Sequence, residues 1–181
     1  MTAPVLVAYA TEHGSTRAVA GAIAARLRET GLEVDLQPAG EVLDLRPYAG
    51  VIVGGALYMG RLHSDAVGFL RRHHDALAVL PLAVFALGPR TLEPSDLAES
   101  RKQLVRSLAK VPDVEPYELA VFGGVIDPKT LRFPFNHLRA SDARDWDDID
   151  AFAFRCAAAY DYGKAAAELS DPRTTVPQTH R

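Results

Sequence analysis

The sequence Y-A-T-E-H-G-S-T, residues 9–16, separates a short apolar run from a long amphipathic segment. Val5–Ala8 is typical of a buried parallel strand, and Arg17–Glu29 has apolar residues at helical spacing. The first backbone N–H groups of a helix have no partner within it, and the helix dipole adds partial positive charge at that end. The sequence therefore predicts a strand, a tight polar turn and a helix, with an anion-binding cradle at the turn.

The turn combines hydroxyl groups with a glycine. Thr11, Ser15 and Thr16 carry hydroxyl donors, and Gly14 lets the backbone turn without a Cβ. The fingerprints G-x-G-x-x-G and G-x-x-x-x-G-K-S/T are both absent. On these residues alone, a helix capped by Ser15 or Thr16 is an equally good interpretation. The residues that we predict to contact an anion are Thr11, Glu12, His13, Gly14, Ser15 and Thr16.

Length and charge limit the classes of function. The chain has 181 residues, enough for one core, and a formal net charge of -3 from 20 basic and 23 acidic side chains. A net charge this close to zero gives no reason to expect nucleic-acid binding. The N-terminus lacks a basic region followed by an apolar run, and the longest uncharged stretch, residues 76–89, is too short to span a bilayer. We expect a cytoplasmic protein without a transmembrane segment.

Cysteine and histidine give no indication of a metal site. The one cysteine, Cys156, excludes an internal disulfide and any cysteine-based cluster, and its helical spacing from other apolar residues predicts a core-facing thiol. His63, His73 and His74 lack the spacing and the acidic neighbours of a metal site. We therefore assign no metal ligand.

Strands and helices alternate along the chain. Short apolar runs that end in glycine or proline predict buried strands, and apolar residues at helical spacing predict helices between them. The predicted strands are Val5–Ala8, Leu32–Gln37, Val51–Gly55, Leu82–Leu87 and Leu119–Phe122. The predicted helices are Arg17–Glu29, one capped by Ser64 with Val67, Leu70 and Leu77 inside, one capped by Ser95 with Leu97, Leu104, Val105 and Leu108 inside, and Trp146–Glu168.

This alternation implies an α/β fold, a doubly wound five-stranded parallel sheet with helices on both faces. We predict the strand order 2-1-3-4-5, because the second strand alternates apolar and polar residues like an edge strand and its neighbours are fully apolar. The domain would span residues 1–168, followed by a flexible tail over 169–181. A ligand would lie beyond the carboxyl ends of the strands. Those ends are residues 11–16, 54–61, 88–92 and 123–127, and each carries glycine where the backbone must pass close to a neighbour.

Four blocks of sequence resemble the flavodoxin family, over residues 5–166. They are A-T-E-H-G-S-T-R at the first turn, Y-A-G-V-I-V-G-G-A-L-Y-M-G-R-L-H-S from Tyr48, L-A-V-F-G-G-V-I from Leu119 and D-W-D-D-I from Asp145. The first block has the T-x-x-G-x-T pattern of an FMN-phosphate loop. The second block is the most specific, and it is most similar to the flavodoxin-type, menaquinone-dependent protoporphyrinogen dehydrogenases.

The resemblance implies FMN as the cofactor, with its ring between residues 56–61 and 88–92. Tyr58 would stack on the ring or pack as a half-buried core residue, and the backbone of residues 55–60 would face the flavin N5 atom. Besides the six residues of the first turn, the implied FMN-binding residues are Ala56, Leu57, Tyr58, Met59, Gly60, Gly88, Pro89, Arg90, Gly123 and Gly124. The implied function is an FMN-dependent oxidoreductase that oxidises protoporphyrinogen IX with a quinone acceptor. No catalytic residue is assigned.

Two features depart from the family pattern. His13 stands where electron-carrier flavodoxins often have a third hydroxyl group. Residues 127–145 are shorter than the segment that quinone-reactive members insert after the fifth strand, which argues against peripheral membrane contact.

Other interpretations are an electron-carrier flavodoxin, which would serve a redox partner protein rather than a small-molecule substrate, and an FMN-free interaction domain. Carriers are usually much more acidic, so the near-neutral charge favours an enzyme. Residues 133–135 are apolar enough for a partner or quinone contact, or for a local hydrophobic plug. Cations beside the predicted site would suit a carboxylated substrate, although a solvated surface is the default interpretation; they are Arg61, Arg90, Lys129 and Arg132.

Overall fold

A computed structural model describes residues 3–129 and 138–170, with side chains as far as Tyr160. The parallel strands are β1 (Val5–Ala10), β2 (Val34–Pro38), β3 (Gly50–Tyr58), β5 (Leu82–Leu87) and β6 (Glu118–Phe122), and β4 (Arg61–Leu62) runs antiparallel to the end of β3. The parallel strands lie in the order β2-β1-β3-β5-β6. The predicted fold class and strand order are therefore confirmed.

Helices cover both faces of the sheet, as predicted. They are α1 (Ser15–Glu29), α2 (Ser64–Arg72), α3 (His74–Leu77), α4 (Pro94–Leu108) and α5 (Trp146–Ser170). Val5 and Val7 of β1 pack with apolar residues of α1 and α5, whereas Leu6 and Ala8 pack with those of α2, α3 and α4. Alternate residues of a strand point to opposite faces, so the fully apolar β1 belongs to two cores at once.

Two helices near the first turn begin differently from the prediction. Helix α1 begins at Ser15, two residues early, because Gly14 takes the N-cap position with a φ of 86°. The cap of α2 is His63 rather than Ser64, since the His63 Nδ1 atom accepts the backbone N–H of Asp65 at 3.2 Å. An imidazole thus caps this helix, whereas the sequence predicted a hydroxyl cap.

Helix α4 begins at Pro94 with Glu93 at the N-cap, not at a Ser95 cap, because proline at the first helical position loses no hydrogen bond. Val105 is 47% exposed, so its assignment to the core was wrong. It lies about 100° around the helix from Leu104, which is buried. Among the other predicted core residues of α2 to α4, Leu70, Leu77 and Leu108 are buried, and Val67 and Leu97 are half-buried.

The predicted loop after the third strand is partly a β-hairpin. Strand β3 continues to Tyr58, three residues beyond the predicted end at Gly55, and pairs with β4 through Leu57–Leu62 and Tyr58–Arg61. A two-residue turn joins the two strands. The hairpin stands beyond the carboxyl edge of the parallel sheet, where the fold places ligands.

Two smaller differences concern the strands that flank the core. Strand β2 begins at Val34 and includes Pro38, which is compatible with its edge position. Beyond β6, strands β7 (Val125–Ile126) and β8 (Ser141–Asp142) form an antiparallel pair that the sequence did not indicate. This pair is a sheet of its own, and the Ala143 N–H after β8 donates to the Gly124 carbonyl before β7 at 3.0 Å.

Cys156 faces the core, as predicted. Its side chain is fully buried, and this burial raises the pKa of the thiol to about 12. The thiol is therefore protonated at neutral pH and unreactive. Several predictions lie outside the described residues, namely those for Arg132, for residues 133–135 and for the tail beyond residue 170.

Candidate functional site

The turn between β1 and α1 is held by Thr11 and Gly14. A φ of 86° at Gly14 is a left-handed conformation that L side chains rarely adopt, and a Cβ added there would meet no atom within 4 Å. The Gly14 N–H donates to Thr11 Oγ1 at 2.9 Å. The Thr11 hydroxyl oxygen therefore accepts the hydrogen bond that shapes the loop. Its O–H group remains available to donate to another acceptor.

Donors without partners surround this turn. The backbone N–H groups of residues 12, 13, 15, 16 and 17 form no hydrogen bond within the described part of the chain. Thr16 is fully buried, and its Oγ1 has no partner among those residues either. A buried hydroxyl without a partner costs about 1–3 kcal/mol. The loop therefore fits an anion whose oxygens accept from these groups.

Glu12 lies between two imidazoles. Its carboxylate oxygens are 3.8 Å from His13 Nε2 and 4.0 Å from His63 Nε2. Because His63 Nδ1 accepts the Asp65 N–H, a neutral His63 carries its proton on Nε2. That atom is buried and has no hydrogen bond within residues 3–129 and 138–160. The first turn thus places one carboxylate beside two imidazoles.

Met59 and Gly60 form the turn of the β3–β4 hairpin. Their φ angles are 47° and 76°, so both residues are left-handed, as in a type I′ turn. Glycine adopts this conformation freely, whereas methionine does so at a cost of roughly 1 kcal/mol. Met59 is also 80% exposed and Tyr58 is 55% exposed. The hairpin therefore ends in two large, exposed side chains, one of them on a strained backbone.

A cleft of about 380 Å³ lies on one side of the hairpin; we call it the apolar cleft. Its titratable side chains are His13, Tyr58, Arg90 and Asp127, and most of its remaining wall is aliphatic. Such a cavity suits a flat aromatic ring better than a charged group. The described residues that line it are His13, Ser15, Ala56, Leu57, Tyr58, Met59, Leu87, Gly88, Arg90, Gly124, Val125, Ile126, Asp127 and Leu138.

A second cleft, of about 490 Å³, also borders the hairpin; we call it the basic cleft. It shares His13, Ser15, Ala56 and Tyr58 with the apolar cleft. Its other lining residues include three cations and come from the first turn, β4, α2 and the end of α4; they are Thr11, Glu12, Arg61, Leu62, His63, Ser64, Val67, Gly68, Arg71, Ser107 and Lys110.

The structure brings most of the predicted FMN-binding residues together. Those that line the apolar cleft are His13, Ser15, Ala56, Leu57, Tyr58, Met59, Gly88, Arg90 and Gly124. Thr11 and Glu12 line only the basic cleft. Those that line neither cleft are Gly14, Thr16, Gly60, Pro89 and Gly123. The prediction also missed five lining residues, Leu87, Val125, Ile126, Asp127 and Leu138, although the apolar pair directly after Gly124 was a usable signal.

The glycines at the strand ends serve internal packing. A Cβ added to Gly54 would lie 1.9 Å from the Phe85 ring, and one added to Gly123 would lie 1.8 Å from the Ala143 carbonyl oxygen. A Cβ on Gly88 would lie 3.0 Å from Ser100. The sequence indicated close approach at these positions, and the neighbours that require it are residues of the chain itself.

Two further observations limit the site. Within the described part of the chain, none of the helices combines the length and the apolar character that crossing a membrane requires. Among the same residues, no group of three or more histidine, cysteine or acidic side chains is arranged to hold a metal ion.

Comparison with known proteins agrees with this geometry. A family model described as a flavodoxin domain matches residues 6–135. Protoporphyrinogen IX dehydrogenase (quinone) of Escherichia coli strain K12 is 24% identical over 131 residues, which cover 71% of this chain and 70% of that protein.

Solved structures show the same fold. A flavodoxin from the domain Archaea superimposes with a TM-score of 0.56 at 15% identity, and the match covers 87% of this chain and 99% of the flavodoxin chain. A flavodoxin from Streptococcus pneumoniae gives 0.56 at 19% identity, covering 87% of this chain and 99% of that one. Rubredoxin oxygen:oxidoreductase from Desulfovibrio gigas gives 0.57 at 15% identity, covering 91% of this chain and 37% of that one.

Proposed function

The chain belongs to the flavodoxin family, and from that premise we propose that it binds FMN and acts as an FMN-dependent oxidoreductase. The observation that carries the proposal is the position of the anion loop at the edge of the apolar cleft. His13 and Ser15 belong to both, so a ligand with a phosphate at one end and a flat ring at the other would fill them together. FMN has this shape.

The loop would hold the phosphate through the unpaired N–H groups of residues 12, 13, 15, 16 and 17 and the hydroxyls of Thr11, Ser15 and Thr16. Hydrogen bonds to a charged group contribute roughly 1.5–3 kcal/mol each. Four of them would supply about 6–12 kcal/mol before ordering costs, and micromolar binding needs about 8 kcal/mol. The loop is thus sufficient without a lysine.

The apolar cleft would take the ring. Leu57, Tyr58 and Met59 of the hairpin form one wall, and Gly88, Arg90 and residues 124–127 form the others. The bound flavin would supply the electron or hydride transfer, and these side chains would orient it and exclude water. The backbone of Met59 and Gly60 forms no hydrogen bond outside the β3–β4 ladder among described residues, so it is available to the ring edge.

The substrate proposal comes from the curated relative. We include protoporphyrinogen IX with a quinone acceptor in the proposal, because the Escherichia coli relative carries that name and aligns over most of this chain. The exposed aromatic and thioether groups at the hairpin tip would let a large apolar reductant approach the cleft.

A titration that follows the quenching of FMN fluorescence tests cofactor binding. We expect a dissociation constant in the micromolar range or below. Replacing Thr16 by Glu should abolish the quenching, because a carboxylate would occupy the place of the phosphate, and circular dichroism would verify that the variant is folded. Purified protein that neither carries nor takes up FMN would contradict the proposal.

A second assay separates the substrate from the cofactor. FMN-loaded protein supplied with protoporphyrinogen and a quinone should produce porphyrin fluorescence faster than the uncatalysed reaction. If FMN binds but this rate does not rise, the substrate proposal fails while the flavoprotein proposal stands. Reduction of the bound flavin by a partner protein would then favour the electron carrier.

A further inference from the structure

The basic cleft contains three cations without acidic partners. Arg61, Arg71 and Lys110 come from β4, α2 and the segment after α4, and they line one cavity of about 490 Å³. None of them forms an ion pair or a side-chain hydrogen bond within residues 3–129 and 138–160. Arginines elsewhere on the surface do pair with acids, for example Arg26 with Asp150, Arg46 with Asp44, Arg144 with Asp142 and Arg155 with Glu118.

The rest of the lining leaves this positive charge largely uncompensated. Glu12 is the one acidic side chain among the described residues of the cleft lining, so their formal charge is +3 from the cations and -1 from Glu12, or +2 with neutral histidines. The buried Nε2–H of His63 is an additional donor without a hydrogen-bond partner among described residues. A concave surface focuses such a field and attracts anions.

Different residues of the hairpin line this cleft and the apolar cleft. The two cavities share His13, Ser15, Ala56 and Tyr58, whereas Arg61, Arg71 and Lys110 line only the basic cleft, and Leu57, Met59 and Arg90 line only the apolar one. A molecule held by the three cations would therefore contact cations that a ring in the apolar cleft does not reach. It would, however, lie beside Glu12 and the first turn.

We infer that the basic cleft is a second ligand site, which binds a small polyanion whose carboxylate or phosphate groups pair with Arg61, Arg71 and Lys110. Guanidinium groups recognise both kinds of oxyanion through paired hydrogen bonds, and a lysine adds a point charge. The cavity volume suits a molecule with two or three such groups. This site does not depend on FMN binding.

Isothermal titration of FMN-saturated protein with tricarballylate and, separately, with pyrophosphate tests the site and distinguishes carboxylate from phosphate. We expect one of the two probes to bind at a molar ratio near one. The double variant Arg71→Gln, Lys110→Gln should weaken that binding roughly tenfold or more, since two charge-assisted contacts are lost. Both substituted residues are exposed, so the fold should be retained.

The matched control is the double variant Lys102→Gln, Arg106→Gln on α4. It removes the same charge from exposed residues that do not line either cleft, and it should change the dissociation constant less than about twofold. Three outcomes would overturn the site: neither probe binds, both double variants weaken binding equally, or a probe binds the flavin-free protein but not the FMN-saturated protein, which would place the anion on the first turn. If the protein takes no FMN, the same two variants decide the question in the flavin-free protein.

Discussion

The two clefts beside the hairpin differ in chemistry although they share four lining residues. Leu57 and Met59 line the apolar cleft together with aliphatic residues and strand-end glycines. Arg61 lines the basic cleft together with Arg71 and Lys110. Leu57 and Leu62 pair across the two strands but line different clefts, so one short hairpin borders two environments. The family fold accounts for one of the clefts, and the other is a property of this chain's own residues.

The substitution with the largest expected effect should disrupt both clefts together. Replacing Gly54 by Ala would place a Cβ 1.9 Å from the Phe85 ring. Phe85 is fully buried and packs against Phe122 and Phe152, so it has nowhere to move. We expect a loss of about 3 kcal/mol or more in the free energy of unfolding, measured by urea denaturation, with loss of ligand binding on both sides.

Gly21→Ala is the control for that substitution. Gly21 lies within α1, and a Cβ there would meet no atom within 4 Å. Alanine should therefore raise the free energy of unfolding by about 0.5–1 kcal/mol. If Gly54→Ala is no more harmful than Gly21→Ala, the strand-end glycines do not serve packing, and a ligand becomes the better explanation for them.

The substitution with the next largest expected effect lies in the first turn and should change ligand binding in only one of the two clefts. Replacing Thr16 by Val keeps the shape of the side chain and removes the buried hydroxyl that has no partner among described residues. We expect FMN affinity to fall by roughly 10- to 100-fold, since a hydrogen bond to the phosphate is lost, while the stability of the flavin-free protein stays equal or rises. Polyanion binding in the basic cleft should be unchanged. Fluorescence titration, denaturation and calorimetry measure the three quantities.

Thr11→Val is the matched comparison. Thr11 Oγ1 accepts the Gly14 N–H, so its removal should lower the stability of the flavin-free protein by about 1 kcal/mol as well as weaken FMN binding. Equal stability changes in the two variants would show that the Thr16 hydroxyl has a partner after all, and the assignment of the phosphate to this turn would lose its main support.

The sequence was sufficient to predict the sheet but not the two clefts. Four apolar runs and one edge-like strand predict the observed strand order, because burial on both faces of a parallel sheet leaves a plain apolar signal. The hairpin was missed, since Met59–Gly60 lacks the Asn-Gly signature of a tight turn and Ala56–His63 was therefore predicted to be a loop. The basic cleft was missed because Arg61, Arg71 and Lys110 are far apart in sequence and each resembles an ordinary surface cation.

Ionic strength should sharpen the difference between the clefts. Raising salt from about 50 to 500 mM shortens the Debye length from roughly 14 to 4 Å and screens the partly exposed cations of the basic cleft. We expect polyanion affinity to fall about tenfold, whereas FMN affinity should fall less, because its ring is held by apolar contacts. Calorimetry and fluorescence titration over this range measure both. Equal salt dependence would mean that phosphate contacts dominate in both clefts.

The smallest expected effect concerns the strained turn at the hairpin tip. Met59 is left-handed and is followed by Gly60, so replacing Met59 by Asn would create the dipeptide that a type I′ turn favours most. We expect the free energy of unfolding to rise by about 0.5–1 kcal/mol, because asparagine tolerates this conformation better than methionine. Met59 lines only the apolar cleft, so FMN affinity should fall while polyanion affinity stays constant. The control for added polarity is Val79→Asn, at an exposed position that lines neither cleft. If Met59→Asn gains stability with no change in FMN affinity, the strain at Met59 is unrelated to the flavin.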